Sequence, residues 1–511
     1  MFTPFSDTRR EAGRAILLLL ALALFGCTRS ANPANAPWQT PANGQTAAPD
    51  SPPASSAQPE AAPAAYTPTP DPPHDIPGLR QEAEEYVVQP GDTLMRIAQH
   101  YNVTVEQIAA ANDLPNPDLL EVGQVLQIPA PPPLDTGPGL KIIPDSELVY
   151  GPSSADFDIT GFIRQQGGYL ASYREEVDGE MLSGAQIVAR IAQNYSLNPR
   201  LLLAVLEHQS GWVTNPNPDP AGRPYPIGLP DPRREGLYRQ LAWAADRLNR
   251  GYYLWRVEGI GAWVLPDGSL VPINPTINAG TAGVQQLFAS LYSFEEWQQA
   301  VSESGLLATF TRLFGYPFAL TYEPLIPASL VQPELRLPFP AGQLWSFTGG
   351  PHGGWDSGSA WAALDFAPPG EAAGCVQSDE WVTAMADGLI VRTGNGAVVQ
   401  DLDGDGLEQT GWTILYMHVE SRERVQTGTR VQAGDRIGHP SCEGGIATGS
   451  HVHVARRYNG EWIPADQPEL PFVMDGWVAS GAGTVYDGYL TREGQIVEAY
   501  GGNSEINKIQ R

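Results

Sequence analysis

From Thr28 to about Gln81 the chain is built of Pro, Ala, Ser, Thr and Asn, with scarcely any large apolar residue. Such a stretch cannot bury enough surface to offset the entropy of ordering its backbone, so residues 28–84 read as a disordered tether. Any folded domain must therefore be built beyond it. Ahead of it, Arg9, Arg10 and Arg14 precede an apolar run from Ala15 to Phe25. That run falls short of the ~20 residues of a membrane-spanning helix and suits an export signal.

The run ends in Leu24-Phe25-Gly26-Cys27, which resembles the bacterial lipobox, although Phe25 is bulkier than the usual residue there. The resemblance implies a lipoprotein signal over residues 1–27, a lipidated Cys27 and an exported, membrane-anchored protein of the cell envelope. Cys375 and Cys442 are then left as an even pair in an oxidising compartment, which favours a disulfide over two free buried thiols. The 511 residues suggest about three domains. With 57 acidic residues against 30 basic, the formal charge of -27 argues against nucleic acid or anionic lipid held by general electrostatics.

Order begins at Tyr86-Val87-Val88-Gln89-Pro90-Gly91-Asp92-Thr93-Leu94, after which Leu94, Ile97, Ala98 and Tyr101 keep helical spacing, with Asp92 as the expected N-cap. Thr104 and Gln107 form a capping box for a second helix, and Gly123 to Pro129 read as a closing strand. This unit, residues 85–130, resembles a LysM domain. The resemblance implies an α+β fold that binds N-acetylglucosamine-containing glycans such as peptidoglycan, with contacts expected around Gly91 to Leu94 and Asn112 to Asn116. A proline-rich linker, 131–140, follows.

Residues 141–335 read as mainly α. Ser183 is a cap for Ile187, Val188 and Ile191, Asn198-Pro199 opens Leu201 to Glu207, and Ser293 to Glu296 is another capping box. The stretch from Asn198 to Trp212 resembles the helix that carries the catalytic acid of lysozyme-like lytic transglycosylases. That family has Glu-Ser where this chain has Gln209-Ser210, and an amide has no proton to give a glycosidic oxygen. Glu207, two residues earlier, points about 160° away on a helix. A decayed lysozyme-like domain that binds or spaces is expected. Trp243, Tyr252, Tyr253, Trp255 and Trp263 are read as core ahead of a sugar groove.

After Leu335, glycine becomes frequent and short β-rich runs appear at Trp381 to Val391, Ala397 to Asp401, Thr413 to Val419 and His451 to Tyr458. Asn395-Gly396 and Asn459-Gly460 are hairpin signals between them, so this is an all-β antiparallel domain. His352, His418, His439, His451 and His453 fall here, out of 8 histidines in the chain. Alternate residues of a strand share a face, which puts His451 and His453 about 7 Å apart on one side. With His352 and Asp365, which flank a glycine-rich loop, His453 would complete a three-ligand Zn²⁺ site that leaves one position for water.

These residues, with Tyr416-Met417-His418, Pro440 to Gly445 and Ala455 to Trp462, resemble the β-lytic branch of the lysostaphin-type zinc metallopeptidases. Other members place the first histidine four residues before the aspartate, where this chain has Trp361, and the longer His352 to Asp365 spacing fits the β-lytic branch. The resemblance, over residues 336–475, implies a peptidoglycan endopeptidase with His352, Asp365 and His453 on zinc. His418 and His451 are then the unligated catalytic histidines, serving as general base or oxyanion stabiliser. His439 matches no catalytic position and is read as structural.

Two readings from other classes stand beside this one: a non-catalytic LysM lipoprotein that activates a separate amidase, and a lysozyme-like glycosidase. Asp401-Leu402-Asp403-Gly404-Asp405-Gly406 resembles the start of a calcium loop, but Trp412 stands where an EF-hand needs glutamate, so an acidic hairpin turn is expected. Residues 476–511 read as a C-terminal extension holding a covering strand pair and a frayed end.

Overall fold

The computed structural model describes residues 82–511, apart from 90–91, 102, 115, 117–119, 131–135 and 371–373. The signal over 1–27, Cys27, nearly all of the tether, Gly91 and half of the 131–140 linker lie outside the described residues. Among the described residues no helix is long and apolar enough to cross a membrane.

The first domain pairs β1 (Glu84–Val87) antiparallel with β2 (Val125–Ile128), with α1 (Leu94–His100) and α2 (Val105–Ala111) between them. Thr104 caps α2 through the expected box with Gln107. The cap of α1 differs from expectation. Thr93 Oγ1 accepts from Arg96 N at 3.3 Å, while Asp92 accepts from Tyr86 Oη and Gln89 N, each at 2.7 Å. Asp92 thus ties the loop back to β1, because a carboxylate two residues before the helix reaches the preceding strand more easily than the helix amides. Asn112 is a lock, bonded to Ile108 O, Gln127 O and Gln127 N.

The helical domain runs through α3 (Ile159–Gln166), the hairpin β3 (Arg174–Val177) and β4 (Glu180–Ser183), then α4 (Gly184–Tyr195) and α5 (Pro199–Ser210). It continues with α6 (Leu237–Arg256), the hairpin β5 (Ala262–Val264) and β6 (Leu270–Pro272), then α7 (Ala279–Ala289), α8 (Phe294–Ala300) and α9 (Leu306–Phe314). Ser183, Asn198 and Ser293 cap α4, α5 and α8 as the sequence predicts. Trp243, Tyr252, Tyr253, Trp255 and Trp263 are buried in its core.

The β domain contains β7 (Leu344–His352), β8 (Ala363–Ala367), β9 (Val382–Thr383), β10 (Gly388–Gly394), β11 (Ala397–Asp401), β12 (Trp412–Met417), β13 (Arg430–Val431), β14 (Arg436–Gly438), β15 (Val452–Tyr458) and β16 (Glu461–Trp462). After β17 (Val473–Met474), β18 (Trp477–Gly481), β19 (Gly488–Arg492) and β20 (Gln495–Glu498) comes β21 (Lys508–Gln510). The main sheet is antiparallel in the order β13-β10-β11-β12-β15-β8-β7-β21, with β16 paired to β15. Asn395 and Gly396, at φ 46° and 75°, make the left-handed turn that joins β10 to β11. The C-terminus is not frayed. Lys508 to Gln510 pair with Ser346 to Leu344, and burial of Ile509 in the core holds this edge strand in place.

Residues directly opposite in the ladder share a face. One face carries Asp365 and Ala363, His453, Ala455 and Arg457, Met417 and Leu415, and Ala397 and Val399. The other presents Leu364, Phe366, Val398, Ile414, Tyr416, Val452 and Val454 to the domain's own core. Two bulges add to the first face. In β7 four residues, Gly349 to His352, oppose three, Asp365 to Ala363, which turns His352 onto it. In β10 the step from Ile390 to Arg392 opposes one residue of β11 and brings Arg392 there too.

Beside and beyond the histidines, the helical domain covers this face. Ala363, Ala397, Val399, Leu415 and Ala455 belong to one apolar core with Ile187, Leu248 and Tyr252. Glu408 is buried between Arg392 Nε at 2.6 Å and Arg457 Nη2 at 2.9 Å, and these guanidiniums reach Asn194 Oδ1 (3.0 Å) and Ser196 Oγ (3.3 Å). Burial pushes the Glu408 carboxyl up, but the two guanidiniums outweigh it and hold it below the usual carboxylate range. Burial also works against Arg457's charge, opposed by Glu408. A guanidinium stays protonated throughout the physiological range.

Glu408→Ala strands a buried Arg457 and a half-buried Arg392, and urea unfolding is expected to show a loss of about 3–5 kcal/mol at neutral pH. A depressed folded pKa contributes stability above the unfolded value, about 4.3, that disappears as pH falls through the folded value. The gap between wild type and variant should therefore narrow below about pH 4.

Candidate metal centre

The pairing of β8, β15 and β12 places His453 opposite both Asp365 and Met417, so the imidazole and the carboxylate meet on one face. His352 arrives from the bulged end of β7, with Nε2 2.9 Å from His453 Nδ1 and 3.3 Å from Asp365 Oδ1. His453 Nδ1 is 3.2 Å from the same oxygen. All three side chains are buried, and their candidate ligand atoms lie within 4.8 Å of one another.

His418 follows β12 and His451 precedes β15. Their rings lie 4.5 Å apart, and His451 Nε2 is 3.7 Å from Asp365 Oδ1. The five predicted side chains thus surround one point. His439 does not join them: it bonds Glu380 O at 2.8 Å and Glu423 Oε2 at 3.1 Å.

Backbone carbonyls decide which nitrogen of each ring faces this point. His352 Nδ1 meets Gly350 O at 2.8 Å, His453 Nε2 meets Gly354 O at 3.2 Å, His418 Nδ1 meets Glu443 O at 2.9 Å and His451 Nδ1 meets Gly449 O at 2.8 Å. A carbonyl only accepts, so each of these nitrogens carries the hydrogen and the other nitrogen of a neutral ring is bare. His352 Nε2, His453 Nδ1 and Asp365 Oδ1 are then three acceptors in contact, and Oδ1 is buried without a hydrogen bond. Lone pairs so close repel unless a cation sits among them. Their spacings fit tetrahedral bonds of ~2.0–2.1 Å, whose ligand atoms stand roughly 3.3 Å apart. The donor set therefore suits zinc.

The same contacts shift how these groups titrate. Burial raises the Asp365 carboxyl, but His352 and the neighbouring imidazoles outweigh it and hold the group well below the usual carboxylate range. Burial works against a charge on His352, yet Asp365 outweighs it and the pKa rises. Burial lowers His453 and takes His418 down to about 4, with His451 and His453 adding repulsion in the latter case. His418 is neutral near neutral pH.

Two contributors were not legible in the sequence. Tyr486, in the turn before β19, stacks on His352 at 4.2 Å between ring centroids, and its backbone bonds Gly350 N at 2.9 Å. Nothing in Val485-Tyr486-Asp487-Gly488 except the turn itself points to that role. Glu443 offers His418 its carbonyl from the loop stapled by the Cys375–Cys442 disulfide, with sulfurs 2.06 Å apart.

The other candidates stand elsewhere. Gln209 donates to Ile227 O at 2.6 Å and accepts from Tyr292 Oη, while Glu207 is saturated by Val213 N, Thr214 N, Thr214 Oγ1 and Arg312. Asp401, Asp403 and Asp405 gather in the hairpin between β11 and β12, where Asp401 accepts from the amides of Asp403, Gly404 and Gly406.

Three family models match the chain in turn: the LysM domain over residues 86–129, the LasA N-terminal domain over 141–327 and peptidase family M23 over 370–464. The chain carries a lysostaphin-type peptidase domain of family M23. The M23 match includes His418, His451 and His453 and begins after His352 and Asp365. Protease LasA of Pseudomonas aeruginosa strain PAO1 is 25% identical over 341 residues, which is 62% of this chain and 74% of that protein. Beta-lytic metalloendopeptidase of Achromobacter lyticus is 29% identical over 174 residues, 32% of this chain and 43% of that protein. A solved structure described as a novel M23 metalloprotease, pseudoalterin, from the deep sea is 24% identical, covering 35% of this chain and 100% of its own, at a TM-score of 0.29.

The stacking of Tyr486 on His352 can be tested directly. In metal-free protein, Tyr486→Ala should uncover the imidazole, so that diethylpyrocarbonate modifies His352 several-fold faster by mass spectrometry while the circular dichroism spectrum is unchanged.

Proposed function

We propose that this chain is a zinc endopeptidase of the cell envelope that hydrolyses stem or cross-bridge peptide bonds in peptidoglycan, tethered through a lipidated Cys27 and held on glycan by its LysM domain. The observation that carries this reading is the convergence of His352, Asp365 and His453, whose ligand atoms lie within 4.8 Å of one another while the buried Asp365 Oδ1 has no hydrogen bond. These residues would hold the ion. Zinc bound there supplies Lewis acidity, which makes water acidic enough to attack near neutral pH and polarises the scissile carbonyl.

The rest is the work of side chains. His418 and His451 point bare Nε2 atoms at the centre because their Nδ1 hydrogens are given to Glu443 O and Gly449 O. A neutral imidazole in that state takes a proton from attacking water, and its protonated form hydrogen-bonds the oxygen on which charge develops. The two rings divide these tasks. Tyr486 shields the face of His352 from solvent and keeps it in place. Asn198 to Trp212 contribute no general acid, since Gln209 cannot release a proton and Glu207 is engaged by four donors.

Digestion of purified peptidoglycan followed by mass spectrometry tests the reading. Peptides with new amino termini are expected, abolished by a zinc chelator and by His453→Ala. Unchanged release by the variant, or new reducing ends in place of new amino termini, would overturn it. Ligand imidazoles must be neutral to hold metal, and free imidazole titrates near about 6.5, so activity and bound zinc should fall together in mild acid.

A further inference from the structure

Of the four histidines at the centre, His453 hands its hydrogen to a carbonyl on the loop between β7 and β8, and the helical domain holds that loop. Asp246, buried on α6, accepts from Gly358 N at 2.6 Å and from Ser357 Oγ at 3.1 Å. Tyr195 Oη, at the end of α4, donates to Asp356 Oδ2 at 3.0 Å, and the Tyr195 ring meets Trp355 at 6.3 Å between centroids. Within the loop, Trp355 N donates to Ser359 Oγ at 2.9 Å and Gly354 N to Ala360 O at 3.0 Å, so anchoring Ser357 and Gly358 anchors Gly354 as well.

Close approach leaves the loop little slack. A Cβ on Gly358 would lie 2.0 Å from Asp246 O, and one on Gly354 would lie 2.7 Å from the Trp462 ring. Trp462 is itself positioned from α6, its amide donating to Tyr253 Oη at 3.0 Å. The carbonyls that orient His352, His418 and His451 belong instead to Gly350 on β7 and to Glu443 and Gly449 ahead of β15.

We propose that Asp246 of the helical domain is a positioning residue for the peptidase centre: by pinning Gly358 and Ser357 it holds Gly354 O against His453 Nε2, and so presents His453 Nδ1 to His352 and Asp365. The inference rests on the reading of His453 as a metal ligand, and it makes the helical domain part of the M23 site. Asp246 touches neither substrate nor metal. Its effect is to keep one tautomer and one ring orientation, which determine whether a lone pair or a hydrogen faces the centre. Partners of this kind, one step removed from the metal, commonly change affinity by about 10–100-fold when removed.

The test uses the full chain and its Asp246→Ala and Ser196→Ala variants. Ser196 Oγ donates to Gly460 O at 2.5 Å and so belongs to the same interface away from the loop. Zinc affinity is read by competition with a chromophoric chelator, and the His453 tautomer in metal-free protein by nitrogen-15 NMR. For Asp246→Ala we expect zinc affinity down about 10–100-fold and a mixture of His453 tautomers, with Ser196→Ala matching wild type in both. Wild-type affinity and a single Nε2–H tautomer in Asp246→Ala would overturn the proposal, and so would an equal loss in Ser196→Ala, which would signify general loosening. If the wild-type chain bound no zinc, the metal reading would fail by itself, and the tautomer comparison would still decide the role of Asp246.

Discussion

The antiparallel register between β8, β15 and β12 is the constraint on which the centre depends. His453 faces Asp365 on one side and Met417 on the other, and slipping β15 by one residue would send its imidazole into the apolar core. Val452 and Val454 prevent that slip, because both are fully buried on the opposite face and would emerge from the core. Hydrophobic alternation thus sets the position of a polar site. The bulge in β7 is the matching device on the neighbouring strand. Were the pairing regular from Gly349 onward, His352, three residues on, would point to the face opposite Asp365.

The same sheet face ties the site to the helical domain. Near the centre it carries histidines and a carboxylate. Farther along it carries small and apolar residues, then two arginines closed over Glu408. Alanines at 363, 397 and 455 let the helical domain approach, and the buried charges demand partners with defined geometry. A domain seated in that way reaches the loop at 353–359 through Asp246 and Tyr195, which explains how residues of α4 and α6 come within one carbonyl of a candidate ligand.

Much of the site was legible along the chain because strands and turns are local. The period of two in His451-Val452-His453 puts two imidazoles on one face in any strand. Asn395-Gly396 and Asn459-Gly460 specify left-handed turns wherever they occur. Ser183, Asn198 and Ser293 cap helices through bonds to amides within three residues. Asp92 misled because its carboxylate had a non-local alternative, the Tyr86 hydroxyl on β1. The C-terminal residues read as a fraying end because three residues carry no pattern of their own, and only the open edge of β7 makes them a strand.

The sequence by itself determined the division into a LysM unit, a helical region and an antiparallel β domain, and the identity of the five side chains that meet at the centre. Composition, capping and alternation act over a few residues, and that information is complete within them. The tertiary structure decided which nitrogen of each imidazole faces inward, that Tyr486 covers His352, and that the helical domain grips the loop beside His453. Each of these depends on a carbonyl, ring or carboxylate brought from far along the chain, whose position follows from the packing of whole sheets and helices.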